Sequence, residues 1–206
     1  WFRPRRATEG APPDPRRPST RADVAVARFD DASVSDELAR WWGDLLRRWH
    51  EAGVAGFRCL WPQNVPSASW TQMIEHAGGA RFWAWTPGIP TSDLAGLSEC
   101  GFQGAFSSLA WWDFHSHWYL EEDDRLRSFP AVVAAADAPY SPPSPSRLGR
   151  SRKLGFAGAT ADGLFVVLDE HPDSLTDDAI QQANRAIAER ADTPRKGLRP
   201  LTASGG

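Results

Sequence analysis

Cysteine, methionine and tyrosine are scarce in this chain: two, one and two among 206 residues. Two cysteines cannot frame a disulfide-stapled fold, and neither Cys59 nor Cys100 has the partner spacing of a metal site. Long apolar runs are missing as well. None approaches the roughly 18–20 residues of a membrane span, and no signal peptide is visible. Charge of one sign is not in excess either. A net charge of −3 gives no electrostatic footprint for nucleic acid or for a membrane surface. What remains is a cytoplasmic, enzyme-like domain with one sizeable core, for which no metal and no cofactor are expected.

What is present is a repeat of short apolar runs. VAGFRC (54–59), RFWAW (81–85), GAFSS (104–108), AVVAA (131–135) and GLFVVL (163–168) each sit beside turn residues, as buried parallel strands do. Phe57, Phe82 and Phe106 lie 25 and then 24 residues apart, which leaves room for one helix and two loops, a βα unit. Between the runs, Ser35–His50 places Leu38, Trp42, Leu45, Leu46 and Trp49 on one helical face. Ser67–Ala77 reads as a helix closing on Gly78-Gly79, Ser92 caps a helix expected to stop at Gly101, and Thr176–Ala191 reads as a last helix with Ile180, Ala183, Asn184 and Ile187 inward. Five such units predict an α/β fold with a parallel sheet and crossover helices. Sequential strand order would make it part of a barrel. A reversal in that order would make it an open doubly wound sheet.

The ends differ from the middle. Residues 1–22, rich in Arg and Pro and without periodicity, read as an irregular, solvated loop interrupted by Glu9 and Asp14. Residues 23–192 carry the βα units, and 193–206 read as a linker. The chain opens on Trp1 rather than Met, and both ends read as cuts.

Chemistry is expected where the first strand empties into its loop. VAGFRC ends at Cys59, Leu60 is the first loop position, the loop continues through Trp61–Pro66, and a helical pattern restarts at Trp70. Parallel α/β folds place active sites at this carboxyl end of their strands. Leu60, however, cannot act as acid, base or nucleophile.

Residues 54–74 resemble the fourth strand and following loop of the α-amylase superfamily of glycoside hydrolases, G-x-R-x-D, here Gly56-Phe57-Arg58-Cys59-Leu60. The closer likeness is to its maltosyltransferase branch, which extends α-1,4-glucans from maltose 1-phosphate. That branch's F-R-V-D-N-P, with a later P and F-W, is matched by Phe57, Arg58, Pro62, Pro66 and Trp70. Its F-L-x-E-A-F-x-x-P is matched by Phe82, Ala84 and Pro90, and its G-F and T-W by Gly101-Phe102 and Trp111. The resemblance runs from about Ser35 to about Ala191. It implies the C-terminal half of a (β/α)8 TIM barrel, strands four to eight, truncated at both ends, with α-glucan or maltosyl phosphate as partner; a homodimer stays open.

The departures from that family are chemical. Its nucleophilic aspartate aligns with Leu60 and its acid/base glutamate with Trp85. Retaining glycosyl transfer needs two carboxyl groups about 5–5.5 Å apart. No Asp or Glu lies between Arg58 and Ser69, or between Ala77 and Ser92, so a shifted alignment supplies neither. The third family carboxylate, after strand seven, is matched by Asp137, and the resemblance gives Arg58 the role of supporting the nucleophile. Two classes follow: a glycosyl transferase relative with Asp137 and Arg58 as catalytic candidates, or a non-catalytic homologue that binds glucan or a partner.

All eleven tryptophans fall at or before Trp118. Flat rings with a polar N–H suit both core packing and sugar stacking. Trp41, Trp42, Trp49 and Trp70, on helices, read as core. Trp61, Trp85, Trp111 and Trp112, near strand ends, are candidates for substrate contact, and Trp83 is taken to face the helices. Arg58 inside an apolar strand calls for an anionic or hydrogen-bonding partner, which Asp137 or a substrate phosphate could be. Asp113 with His115 and His117 has the composition of a metal loop, but solvation or capping is the more ordinary role, no metal is expected, and Asp113 is taken as a candidate for substrate contact. Asp169, beside Glu170 and His171, follows the last strand and is a further candidate for substrate contact, with a plain loop as the alternative.

Overall fold

The computed structural model describes residues 1–4, 14–17, 25–94, 96–112, 117–135, 147–166 and 178–193. The chain divides into two compact units, residues 1–106 and 107–206.

The first unit opens with an antiparallel pair, β1 (Phe2–Pro4) and β2 (Ala25–Ala27), so part of the stretch expected to be irregular is a strand. An exposed ion pair, Arg3 to Asp30 at 2.8 Å, flanks it. Helix α1 (Ala32–Glu51) begins where Asp31 stands extended and accepts the Ser33 N–H at 2.9 Å, satisfying one of the donors a helix start leaves open. Arg48 and His50 occupy its last turn, against the negative end of the helix dipole. Leu38, Ala39 and Leu46 face inward. Trp41 and Trp49, expected in the core, remain 39% and 46% exposed. Trp41 stands off the stripe of Leu38, Ala39 and Leu46 and meets Trp1 as well as Trp42, whereas Trp49 is on the stripe's own face but in the last turn of the helix. Trp49 rests 6.1 Å from Phe57, and Trp41 meets Trp42 edge-on at 5.0 Å. Trp70 is buried, as expected.

Three strands follow: β3 (Gly56–Cys59), β4 (Arg81–Trp85) and β5 (Gly104–Ser107), which reaches the unit boundary. Helix α2 (Ser67–His76) connects the first two and packs on α1. Both described pairings are parallel, with Phe57 opposite Phe82 and Trp85 opposite Phe106. The span from Ser92 to Gly101 is not one helix. It is two short 3-10 turns, Thr91–Leu94 and Leu97–Glu99, because Gly96 between them stands at φ 81°, a left-handed conformation that no helix continues through.

In the second unit, β6 (Val132–Ala135) and β7 (Gly163–Phe165) are again parallel. They are accompanied by α3 (Trp118–Arg125), α4 (Arg147–Thr160) and α5 (Asp178–Glu189). The core gathers Leu109, Tyr119, Ala134, Ala157 and Ala161, with Trp112, Trp118 and Phe156 packed on it. On α5, Ile180 and Ala183 are buried as expected, whereas Asn184 is exposed. An amide at the edge of the apolar stripe keeps its hydrogen bonds by turning to water.

Strand order is β3-β4-β5-β6-β7, the order of the chain. The reversal that defines a doubly wound sheet is absent among the described strands, so the sequential α/β arrangement stands.

Candidate functional site

The first unit assembles three of the expected site residues at the carboxyl end of β3 and β4. Pleating sends alternate side chains to opposite faces. On one face Phe57 packs against Trp49 of α1 and against Phe82, at 6.1 and 5.4 Å. Arg58, opposite Trp83 in register, therefore shares the other face with Trp83 and Trp85. Trp83 was expected toward the helices; a separation of two residues in a strand keeps it beside Trp85 instead. Arg58 is exposed, with its guanidinium over the Trp85 ring, 5.3 Å from the centroid. The ring's negative face takes part of the role that an anionic partner was expected to fill.

Trp85 is only 1% exposed. Its ring lies 5.1 Å from Phe106. Directly after it, Thr86 donates its hydroxyl to the Phe106 carbonyl at 2.6 Å. The chain then reverses over Thr86-Pro87-Gly88-Ile89. Pro87 stands at the second position, Gly88 at φ 79° at the third, and the Ile89 N–H bonds the Thr86 carbonyl at 3.0 Å. This is type II turn chemistry, in which the third position favours glycine.

After β3, Leu60 is 37% exposed and Trp61 is half-buried at φ 56°. Trp61 is the one non-glycine residue at positive φ among the described residues, a conformation that costs on the order of 1–3 kcal/mol. The turn Pro62–Asn64 and the indole of Trp70, which donates to the Pro62 carbonyl at 2.8 Å, hold it there. Burial pushes the Cys59 thiol up to about 12, so it stays protonated and inert at neutral pH.

A remote segment meets this end of the sheet. The Trp85 indole N–H donates to the Arg16 carbonyl at 3.1 Å. Arg17 donates to the Gly88 carbonyl from Nε at 2.9 Å and also from a terminal nitrogen, and its guanidinium lies 5.8 Å from the Trp61 ring centroid. Asp14 organises the segment. Its carboxylate accepts the Arg16 backbone N–H at 2.9 Å, an Asx-type turn, and the Arg16 side chain at 2.8 and 3.0 Å. The hydrogen bond from the Arg16 side chain, before any other cause, holds the Asp14 carboxyl below its ordinary value, so it is an anion at neutral pH. Each such hydrogen bond contributes about 0.5–1.5 kcal/mol net, while fixing each residue of the segment costs about 1–2 kcal/mol. No single contact holds the segment alone.

Sequence reasoning missed Asp14, Arg16 and Arg17 here. The Asp14-to-Arg16 turn is readable locally, but docking across 69 and 71 residues has no local signature. Asp14 is the carboxylate that the described residues bring to this end, and Arg16 already engages it. Leu60 and Trp85 supply neither a nucleophile nor a proton.

The second unit holds Trp111 and Trp112. Trp112 stacks on Tyr119 at 5.2 Å and meets Phe156 at 4.5 Å, which makes it part of that unit's core. Trp111 is half-buried and closes a short turn, its N–H bonding the Ser108 carbonyl at 3.1 Å. Glu122, also missed, is 7% exposed; it accepts the Ser108 N–H at 2.8 Å and pairs with Arg125 at 2.7 Å. Burial is the main cause that pushes Tyr119 up to about 12. Asp113, Asp137 and Asp169 lie outside the described residues. Among the described residues no three His, Cys, Asp or Glu side chains come together as a metal site, and no helix is long and apolar enough to cross a membrane.

No protein-family model matches the chain, and no solved structure matches it. Among curated proteins, it is 38% identical over 129 residues to the alpha-1,4-glucan:maltose-1-phosphate maltosyltransferase of Burkholderia pseudomallei (strain K96243). The aligned stretch is 61% of this chain and 11% of that protein, so the chain spans about a tenth of its relative's length.

Proposed function

We propose that this chain is the strand-four-to-eight portion of a (β/α)8 domain related to glucan-active maltosyltransferases, and that the carboxyl end of its strands handles α-1,4-glucan or maltosyl phosphate. The observation that carries this reading is the 38% identity over 129 residues to a maltosyltransferase, together with parallel strands in sequential order. In it Trp61 offers aromatic surface for a sugar ring and Trp85 its indole N–H in the first unit; Trp111, Asp113 and Asp169 are the second unit's own candidates, while Trp112 belongs to that unit's core. Arg58 orients the reacting group, and Asp137 is the remaining catalytic carboxylate. The work is done in the cytoplasm.

A second reading has its own support. Leu60 and Trp85 stand where double displacement needs its nucleophile and its acid/base, which favours a homologue that binds glucan, or an active partner, without turnover. One experiment separates the two. Phosphate release from maltose 1-phosphate, with maltoheptaose as acceptor, marks the transferase. Maltoheptaose binding without phosphate release marks the binding homologue. Absence of both removes the glucan reading.

A further inference from the structure

We propose that the Asp14–Arg17 segment is an intrasteric plug, occupying in place of a ligand the contacts that the carboxyl end of β3 and β4 has to offer. Three groups there suit a polar ligand with flat apolar faces: the Trp85 indole donor, the Gly88 carbonyl acceptor and the Trp61 ring. The segment engages all three, through the Arg16 carbonyl and the Arg17 guanidinium. It arrives from far in sequence and lies at the surface, with the Asp14 and Arg17 side chains 23% and 32% exposed. Lifting it uncovers the edge of Trp85 and leaves the pairing of β3 with β4 in place. The turn apex is shaped for it. A Cβ at Gly88 would stand 2.8 Å from an Asp14 carboxylate oxygen and 3.0 Å from Arg17, so a side chain at position 88 would push the segment off.

Regulation follows directly. A ligand binds only the fraction of molecules in which the segment has lifted, and its apparent affinity falls by that fraction. The choice of sugar as ligand rests on the proposed function; the plug itself does not. A permanent wall of the site would behave in the opposite way, since weakening it would weaken binding.

The test compares the whole chain with its Arg17→Ala variant, a surface change that leaves the core intact. Exchange of the Trp85 indole N–H with solvent is followed by NMR, its signal assigned with Trp85→Phe. Affinity for maltoheptaose is measured in parallel. The plug predicts exchange about tenfold faster in Arg17→Ala and binding tighter by about the same factor, because both report the lifted fraction. Unchanged exchange overturns the plug. Where the unaltered chain binds maltoheptaose, faster exchange with equal or weaker binding also overturns it, making the segment a wall. If neither protein binds maltoheptaose, the glucan reading falls while the exchange rate alone decides the plug, faster exchange sustaining it.

Discussion

The strand ends of the two units use the same materials to opposite effect. At the end of β4, Trp85 is buried by Arg58, Phe106 and a segment 69 residues away, and its polar edge is engaged by a main-chain carbonyl. Near the end of β5, Trp112 is covered by Tyr119 and Phe156, and the buried charge of Glu122 is met by Arg125 three residues on. The first arrangement consists of polar contacts that a ligand can exchange one for one. The second consists of ring packing and a local ion pair, which nothing from solvent replaces without loss. An aromatic residue at a strand end is thus a candidate for recognition only where its edge remains exchangeable. Trp61 and Trp85 meet that condition and Trp112 does not.

The largest effect would come from Asp137→Asn. If catalysis belongs to the second unit, turnover of maltose 1-phosphate in the full-length protein falls by orders of magnitude while urea stability barely changes, the signature of a lost transition-state contact. Unchanged turnover would remove the remaining carboxylate and leave binding as the work of the first unit. Glu122→Ala comes next. Removing one partner of a buried pair typically costs about 3–5 kcal/mol, measured by urea unfolding. A loss under about 1 kcal/mol would mean the pair is wet and the contrast between the units is false.

Alkaline unfolding sharpens the contrast further. The Tyr119 hydroxyl is held up at about 12 against 10.0 for the free side chain, so the unfolded chain releases its proton first. Its contribution is complete below pH 10.0 and is lost as pH rises from there toward about 12, roughly 2–3 kcal/mol in all. Tyr119→Phe should abolish that part of the pH dependence, and persistence of the full slope would count against a buried hydroxyl. The smallest effect is at the other end of the scale. Asp14, with its value lowered below 3.8, contributes above that pH, and the contribution fades as pH falls below it. Acidification should therefore release the segment before the core unfolds, visible as earlier exchange of the Trp85 indole than of the β4 amides.

Much of the fold was legible because it is written locally. Runs such as RFWAW carry the composition of buried parallel strands, and Gly78-Gly79 marks the end of α2. Where the reading failed, a single position or a distant one decided. Gly96 split an expected helix, the narrow α1 stripe left Trp41 outside it, and Trp49 falls in the last turn of α1. The site was less legible than the fold. Leu60 and Trp85 announced the missing carboxylates from sequence alone. The Arg-rich run read as solvated, because local composition does not record that Arg16 and Arg17 reach Trp85 and Gly88.

Both cysteines are buried, and Cys59 keeps its proton to about 12. The folded chain is therefore nearly silent toward thiol-directed dyes. A single cysteine introduced at the exposed Leu60 position gives a reporter with little background, placed beside Trp61, whose indole quenches many such dyes. Opening and closing at this end of the sheet can then be timed in solution by fluorescence, molecule by molecule, with no knowledge of the natural ligand.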